Sequence, residues 1–490
     1  MMHRLIRSRY RLLLLALVAL LLRLYLRISL FSIRQRSPAY SESPTQEPNH
    51  NQLPPPISDW DISGWEPPVA VYREKVYKPA AAPVYPAIDP FPVLSKNPRP
   101  TRDVLVAPSI NRPPQEHYPE QTPLFVGFTR NWPQLLQCVV SYIAAGWPAE
   151  DIYVVENTGV MYANRDGKLT LQNPFYLNHT QLAMLGVGVI VTPTLLTFSQ
   201  LQNFYLWTAL ERQYPYFFWS HQDLLVFSLE PNITATGETN NLYTNAVTTL
   251  RHLTSGPAHH NTTNNNNPRT TQPSWAHHFF AYDHLTLVNR DAVLSLGGWD
   301  THIPFYASDC DAYLRARWAG LAQTQSTIGL VLDVGEVMAD LGALLRLEGS
   351  VARLAGDEEE EEGEGEGEEL GGPGYVERWE ELVALGEWMQ REKYAQGNGM
   401  RNTWQVRQRG GQGEPFYRDA DGFERGVRMM IETGREVFAE KWGHRGCDVE
   451  KTGAVGEDAW RLEMDWVEGT DCEDEMGRGV LGSWKGSGSW

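Results

Sequence analysis

The sequence is poor in cysteine, in positive charge and in glycine motifs that bind nucleotides. Its four cysteines among 490 residues include no C-x-x-C pair, which argues against a cysteine metal site or a disulfide scaffold. The four cysteines could form one or two disulfide bridges, and the sequence does not indicate which of them pair. No P-loop or G-x-G-x-x-G motif follows an apolar run, which disfavours ATPase and dinucleotide-dependent classes.

The 42 Lys and Arg residues are outnumbered by 60 Asp and Glu residues, and the formal net charge is −18. Ten of the acids lie in one run at 357–369, "DEEEEEGEGEGEE". Without that run the charge is −18 + 10 = −8, which argues against a nucleic-acid partner.

The apolar run at the amino terminus is short. Residues 12–22 cover only about 17 Å of a hydrocarbon core that is roughly 30 Å thick, whereas 12–33, with Arg23 and Arg27 inside it, is long enough to span. Long basic side chains reach towards the membrane surface, which reduces the cost of burying them. We expect a cytosolic tail at 1–11 and a transmembrane signal anchor at 12–33, with a cleaved signal peptide as the alternative.

This orientation makes the chain a single-pass type II membrane protein of the Golgi or another secretory-pathway membrane, with its bulk in the lumen. Asn-x-Ser/Thr sequons at Asn178, Asn232 and Asn261 agree with a luminal location and predict a glycoprotein. Twenty of the 32 prolines fall between Pro38 and Pro123, so we expect an extended proline-rich stem at 34–120.

Strand and helix patterns alternate after the stem. Strand patterns at 124–128, 151–159 ("DIYVVENTG"), 186–193 ("GVGVIVTP") and 214–223 ("YPYFFWSHQD") are separated by helical patterns, which predicts an α/β fold with a mostly parallel sheet. Ligands of such sheets bind beyond the carboxyl ends of the strands, and polar residues collect at those ends. They are Thr129, Arg130, Asn131, Glu156, Asn157, His221 and Asp223.

Composition predicts the other boundaries. We expect a main domain at 121–350 with a low-complexity loop at 254–274, an acidic disordered insert at 351–374, a helical extension of the main domain at 375–466 and a disordered tail at 467–490. The loop, insert and tail have too few apolar residues to bury a core.

A group of acids lies in "GGWDTHIPFYASDCDAYLRARWAGL", 297–321, and follows "FAYDHLTLVNRDAVLSL". The two segments resemble the acceptor-side motif, and the strand and helix leading into it, of GT-A-fold glycosyltransferases that use nucleotide-diphospho-sugars. Family-2-like, fungal-type membrane-anchored members are the most similar, and the resemblance covers roughly 123–335. The main domain is then a catalytic domain with a GT-A (Rossmann-like) sheet flanked by helices.

The resemblance implies metal-dependent transfer of a sugar from a nucleotide diphosphate to a glycan or glycoprotein hydroxyl. The residues implied to bind the nucleotide sugar are Thr129, Arg130, Asn131, Glu156, Asn157 and Asn203. Those implied to hold Mn²⁺ (or Mg²⁺) are Asp223, His221 and His444. Those implied to contact the acceptor are Trp299, Asp300 and His284.

Asp309 stands at the position of the general base in inverting members, and Asp311 orients a neighbouring group or caps the helix. Simple helix capping is the alternative for both. His221 replaces the first carboxylate of the family's Asp-x-Asp, which favours Mn²⁺ over Mg²⁺ or leaves the imidazole to bond a ribose or phosphate oxygen.

That replacement also motivates a second hypothesis, a catalytically silent carbohydrate-binding or scaffolding protein on the same fold. A metal-dependent phosphodiester hydrolase is a third, and the lack of a dense His/Asp cluster counts against it.

Overall fold

The computed structural model describes residues 74–76, 86–114, 120–231, 241–255, 275–354, 373–395, 411, 413–417 and 419–465. The chain divides into two compact units, Met1–Tyr77 and Lys78–Trp490, and the second contains the sheet and its helices. The predicted tail and anchor, most of the low-complexity loop and acidic insert, and the carboxy-terminal tail lie outside the described residues. Within the described ranges, no helix is both long and apolar enough to cross a bilayer.

Part of the predicted stem packs on the folded unit. Residues 86–114 contain two 3₁₀ helices, Pro92–Ser95 and Ser109–Asn111. Phe91 and Leu105 between the prolines are buried in the main hydrophobic core. Proline fixes φ and removes a hydrogen-bond donor, but it does not prevent a neighbouring apolar side chain from packing. The folded unit therefore begins ahead of the predicted boundary.

A seven-stranded sheet forms the centre, in the order β3-β2-β1-β4-β7-β6-β8. Its strands are β1 (Leu124–Phe128), β2 (Ile152–Glu156), β3 (Gly188–Val191), β4 (Tyr216–Ser220), β6 (Trp275–Phe279), β7 (Leu285–Asn289) and β8 (Ala322–Gln325). Only β7 is antiparallel to its neighbours in this sheet. β5 (Leu224–Phe227) and β9 (Leu330–Asp333) form a separate antiparallel pair. The predicted α/β fold with a mostly parallel sheet is confirmed.

Helices cover both faces of the sheet. They are α1 (Trp132–Ala144), α2 (His179–Leu185), α3 (Phe198–Glu211), α4 (Leu242–Ser255), α5 (Arg290–Ser295), α6 (Ser308–Trp318), α7 (Pro373–Ala395) and α8 (Ala420–Trp442). Successive residues of β1 enter different cores: Leu124 and Val126 pack with α1, and Phe125 packs with α3. This alternation follows from the two-residue period of a strand, and it buries the sheet on both sides.

Candidate functional site

The carboxyl ends of β1, β4 and β6 lie at one edge of the sheet, where the antiparallel strand β7 begins. The His221 amide donates to the His284 carbonyl at 3.0 Å, and the two imidazole rings are 5.4 Å apart. Gln222 Nε2 donates to the Arg130 carbonyl at 2.8 Å. The fold therefore brings the predicted residues after β1 and β4 together with the turn between β6 and β7, at the edge where such sheets bind ligands.

The residues after β1 serve partly to dock α8. The Arg130 side chain is fully buried, pairs with Glu424 Oε2 at 2.9 Å and lies over the Phe423 ring at 4.4 Å from its centroid. Burial lowers the pKa of Arg130 to about 10, although Glu424 acts against the shift. Asn131 begins α1 from the left-handed region, at φ 74°, and Thr129 is half-buried. The β1 end and α8 thus form one wall of the site.

Two polar residues at the end of β2, Glu156 as its last residue and Asn157 directly after it, hold loops in place. Glu156 is buried, and its carboxylate accepts from Asn164 Nδ2 at 2.7 Å and contacts His179 Nε2 at 2.8 Å. Asn157 Nδ2 donates to the Leu196 carbonyl at 2.8 Å, and its Oδ1 accepts from the Leu196 amide at 2.7 Å. Both predicted nucleotide-binding side chains are used within the protein as placed, Glu156 for the loop after β2 and Asn157 for the loop before α3.

A lysine from α7 joins two aspartates, Asp223 after β4 and Asp333 at the end of β9. Lys393 Nζ donates to Asp223 Oδ2 at 2.6 Å and to Asp333 Oδ1 at 2.5 Å. Tyr394 Oη donates to the other oxygen of Asp333 at 3.0 Å. His221 Nδ1 lies 3.7 Å from Asp223 Oδ1. We name the group of Asp223, Lys393 and Asp333 the α7 bridge.

The two carboxylates of the α7 bridge differ in their titration. Burial acts to raise the pKa of Asp223, but the Lys393 charge and nearby imidazoles outweigh it and lower the pKa to about 2. Burial and the negative charge of Asp223 together raise the pKa of Asp333. The neighbouring carboxylates raise the pKa of Lys393, although burial opposes them, so the lysine is a stable ammonium.

The residues proposed for a divalent cation do not fit one in this arrangement. The α7 bridge already places an ammonium between the carboxylates of Asp223 and Asp333. Both nitrogens of His444 are engaged, with Nδ1 at 2.6 Å from Asp465 and Nε2 at 3.0 Å from Asp448. In the part of the chain that the structure describes, no cluster of three or more His, Cys, Asp or Glu side chains is arranged to hold a metal ion.

The double-glycine turn before α6 is clamped by Asn203. Its Nδ2 donates to the Trp299 carbonyl at 2.9 Å, and its Oδ1 accepts from the Trp299 amide at 2.8 Å. Gly298 has φ 75°, and a Cβ there would come within 2.5 Å of Asn203 Oδ1. The Trp299 ring is buried edge-on against Phe198 and Tyr313. As placed, Asn203 and Trp299 shape the turn rather than line an open surface.

A lysine from α8 joins two aspartates of the acceptor-like motif. Lys441 Nζ lies 2.7 Å from Asp300 Oδ2 and 2.6 Å from Asp311 Oδ1. Asp311 also accepts from Arg315 Nε at 2.8 Å and from Trp442 Nε1 at 3.1 Å. We name the group of Asp300, Lys441 and Asp311 the α8 bridge. These contacts occupy both oxygens of the fully buried Asp311, which suits a positioning role rather than proton transfer.

A disulfide closes the same region. Cys310 and Cys447 are bonded, which ties α6 to the segment that follows α8. Arg315 reaches the turn as well, because its guanidinium donates to the carbonyls of Leu296 and Gly298 at 2.9 and 2.8 Å. The remaining described cysteine, Cys138, is buried and unbonded to another sulfur. The motif is thus held by its own Arg315 and by residues in and after α8.

Asp309 is the one motif acid that faces the strand ends. It is partly exposed in the first turn of α6, and it accepts from the Tyr282 hydroxyl at 3.1 Å. Tyr282 belongs to the turn between β6 and β7, and His284 of the same turn contacts His221. One short turn therefore connects Asp309 with the residues after β4.

Sequence reasoning missed the lysines of both bridges and also Asp333. Asp333 ends a short apolar strand, the same signal that indicated Asp223. Lys393 carried no signal, because it is one of several charged residues in α7 and its partners are 170 and 60 residues away. Only the fold brings these charges together.

No known protein-family model matches the chain, and no curated protein matches it in sequence. Among solved structures it is similar to the mannosyltransferase PcManGT from Pyrobaculum calidifontis in complex with GDP-Man and Mn²⁺, with 14% sequence identity and a TM-score of 0.27. The match covers 44% of this chain and 57% of that one, so the chain spans less than two thirds of its neighbour's length. So weak a likeness carries no functional argument.

Proposed function

We propose that the chain is a glycosyltransferase of GT-A type that transfers a sugar from a nucleotide diphosphate to a hydroxyl of a glycan or glycoprotein. The sheet supports this proposal, because its parallel strands β3-β2-β1-β4 are followed by one reversed strand, β7. The reversal places the turn before β7 beside the end of β4. The donor diphosphate then lies near residues 129–131 and 221–223, and the acceptor lies towards α6.

The observation that carries the proposal is the contact chain from His221 through the β6–β7 turn to Asp309. His284 contacts His221, and Tyr282 donates to Asp309. A glycosyltransferase needs a carboxylate on the acceptor side and polar groups on the donor side of one reacting carbon. The turn supplies that juxtaposition at the edge where ligands of parallel sheets bind.

In the reaction, the Asp309 carboxylate accepts the proton of the acceptor hydroxyl while the hydroxyl oxygen attacks the anomeric carbon. A carbon–oxygen bond to the acceptor forms, the bond to the diphosphate breaks, and the nucleoside diphosphate leaves with the electron pair. Attack from the face opposite the leaving group inverts the configuration. The amino terminus of α6 stabilises the carboxylate, and the Tyr282 hydroxyl orients it.

Donor turnover by the full chain tests this proposal. We expect at least one sugar from a panel of UDP- and GDP-sugars to be consumed, and Asp309→Asn to lower the rate by about 10²- to 10⁴-fold. Asp421→Asn is the matched control, since it makes the same change in the first turn of α8. Equal rates for Asp309→Asn and Asp421→Asn would show that Asp309 is not the base. If the wild-type chain consumes no donor, the proposed activity is wrong.

The second candidate is the silent carbohydrate-binding or scaffolding protein. The α7 bridge favours it, because Lys393 and Tyr394 cover carboxylate oxygens that a metal-dependent enzyme would keep for its cation. Sugar or glycan binding without consumption of any donor would select this candidate.

We also propose that the chain is anchored by residues 12–33 with its folded unit in a secretory lumen. The Cys310–Cys447 disulfide supports an oxidising compartment. Digestion with an N-glycosidase tests the orientation after expression in eukaryotic cells. Unchanged mobility of the chain on a gel would argue against a luminal domain.

A further inference from the structure

On the basis of the proposed function, we propose that the Lys393 ammonium is the resident cation of the donor site and meets the diphosphate in place of a divalent metal. The lysine lies between Asp223 and Asp333, at the end of β4 where the donor is expected. Donor binding is then independent of added metal ions, contrary to what the sequence resemblance implies.

The position of Lys393 is built by the packing of α7. Leu382 and Met389 of this helix are buried in the main core, and Trp379 Nε1 donates to the Ser228 carbonyl at 2.9 Å. A Cβ at Gly386 would come within 2.9 Å of Leu332 Cδ1, so the helix lies close against β9 and β5. The ammonium therefore reaches the strand ends from a packed helix rather than from a loose side chain.

The ammonium keeps capacity for a phosphate oxygen. It has three donors, and the carboxylates of Asp223 and Asp333 take two of them at 2.6 and 2.5 Å. Among the described residues, the third reaches only the Val334 carbonyl, at 3.5 Å. An anionic phosphate oxygen is a stronger acceptor than a carbonyl at that distance. His221, whose Nδ1 lies 3.7 Å from Asp223 Oδ1, has a side chain that is 34% exposed, whereas the Lys393 side chain is 2% exposed.

The charges near Lys393 agree with this role. The Lys393 ammonium lies between the two carboxylates and offsets one of their two negative charges. The imidazoles of His221 and His284 stand beside Asp223. The α7 bridge is thus less negative than two free carboxylates, which suits a neighbouring diphosphate.

Calorimetric titration of the full chain with UDP and with GDP tests the proposal. The protein is first treated with a chelator, and each titration is repeated with Mn²⁺. We expect one nucleotide to bind with Kd values that agree within about twofold between the two conditions. Binding that needs Mn²⁺ would overturn the proposal, since the metal would then have to displace Lys393 from between the aspartates.

Substitution of Lys393 gives a second, independent measurement. Lys393→Met should weaken metal-free nucleotide binding by about tenfold or more, and it should create a Mn²⁺ site by releasing Asp223 and Asp333. Mn²⁺ binding is measured by electron paramagnetic resonance without nucleotide. Lys441→Met is the matched control and should gain no Mn²⁺ site. A folded Lys393→Met chain that binds nucleotide normally and binds no Mn²⁺ would overturn the proposal.

Failure of the proposed function is distinguishable from failure of this inference. If the folded wild-type chain binds neither nucleotide, with or without Mn²⁺, then donor binding and the glycosyltransferase assignment are wrong together. The Mn²⁺ titration of Lys393→Met reports separately whether the lysine fills a cation site. If Lys393→Met gains Mn²⁺ binding, the assignment of Lys393 to a cation site is supported. If the variant gains none, that assignment is overturned.

Discussion

The α7 bridge and the α8 bridge have the same chemistry and different surroundings. Each places a buried ammonium from a carboxy-terminal helix between two aspartates. The α8 bridge is tied further by Arg315 and by the Cys310–Cys447 disulfide. The α7 bridge has Tyr394 as an added donor and lies beside His221 at the strand ends.

This difference separates two uses of a buried ion pair. Burying charges costs free energy that a well-bonded network offsets, so such pairs often specify geometry rather than add stability. In the α8 bridge every oxygen of Asp311 has a protein donor, and the bridge fixes the motif that carries Asp309. The α7 bridge has fewer protein donors and a partly exposed neighbour, as a binding site requires.

The largest expected effect on stability comes from removing the disulfide next to the α8 bridge. The Cys310–Cys447 bond closes a loop of 137 residues, so the Cys310→Ser, Cys447→Ser double variant should lose about 3–5 kcal/mol of unfolding free energy. Guanidinium unfolding measures the loss. Reductant should destabilise the wild-type chain by a similar amount and leave the double variant unchanged. If reductant leaves the stability of the wild-type chain unchanged, the disulfide does not distinguish the α8 bridge from the α7 bridge.

The next effect distinguishes the two bridges directly. Lys441→Met leaves Asp311 buried with one cation fewer, which should cost about 3 kcal/mol. Mn²⁺ should not restore that stability, because Arg315 and Trp442 still occupy the Asp311 carboxylate. In Lys393→Met the lost stability should return as Mn²⁺ binds. Thermal unfolding of Lys441→Met and Lys393→Met with and without Mn²⁺ measures these effects. If Mn²⁺ stabilises the two variants equally, the proposed difference between the bridges is wrong.

Much of the scaffold could be predicted from the sequence because its signals are local. Strand β1, strand β2 within the predicted 151–159, and helix α8 within the predicted helical extension follow from apolar periodicity, and the polar strand ends follow from the parallel sheet. The predicted sheet and these elements are confirmed, whereas the donor, acceptor and metal roles stay predictions.

The bridges could not be predicted because each depends on charges far apart in the chain. Lys393 and Lys441 lie in helices whose polar faces look ordinary in sequence, and their partners are 60 to 170 residues away. The motif acids Asp300 and Asp311 could be noticed from their spacing. Their partner could not, because nothing in an amphipathic pattern distinguishes a buried lysine from a solvated one.

A smaller effect is expected within the turn that the α8 bridge supports. Gly298→Ala adds a Cβ at φ 75° that meets Asn203 Oδ1 at 2.5 Å, so it should cost about 2 kcal/mol or more. Gly297→Ala is the matched control, because its φ is 81° and a Cβ there meets nothing within 4 Å. Its cost should be about 1 kcal/mol, from backbone strain alone. Equal urea midpoints for the two variants would contradict the clamp by Asn203.

The smallest effect is the pH dependence of the α8 bridge. Burial acts to raise the pKa of Asp300, but Lys441 and the hydrogen bonds of His302 outweigh it and lower the pKa to about 2, against about 3.9 in an unfolded chain. A lowered folded pKa gives stability that is present above pH about 4 and is lost as the pH falls towards 2. The unfolding free energy of wild type should therefore fall more steeply between pH 4 and 2 than that of Asp300→Asn. Parallel curves would mean that Asp300 is not held by Lys441, and the α8 bridge would then rest on Asp311 alone.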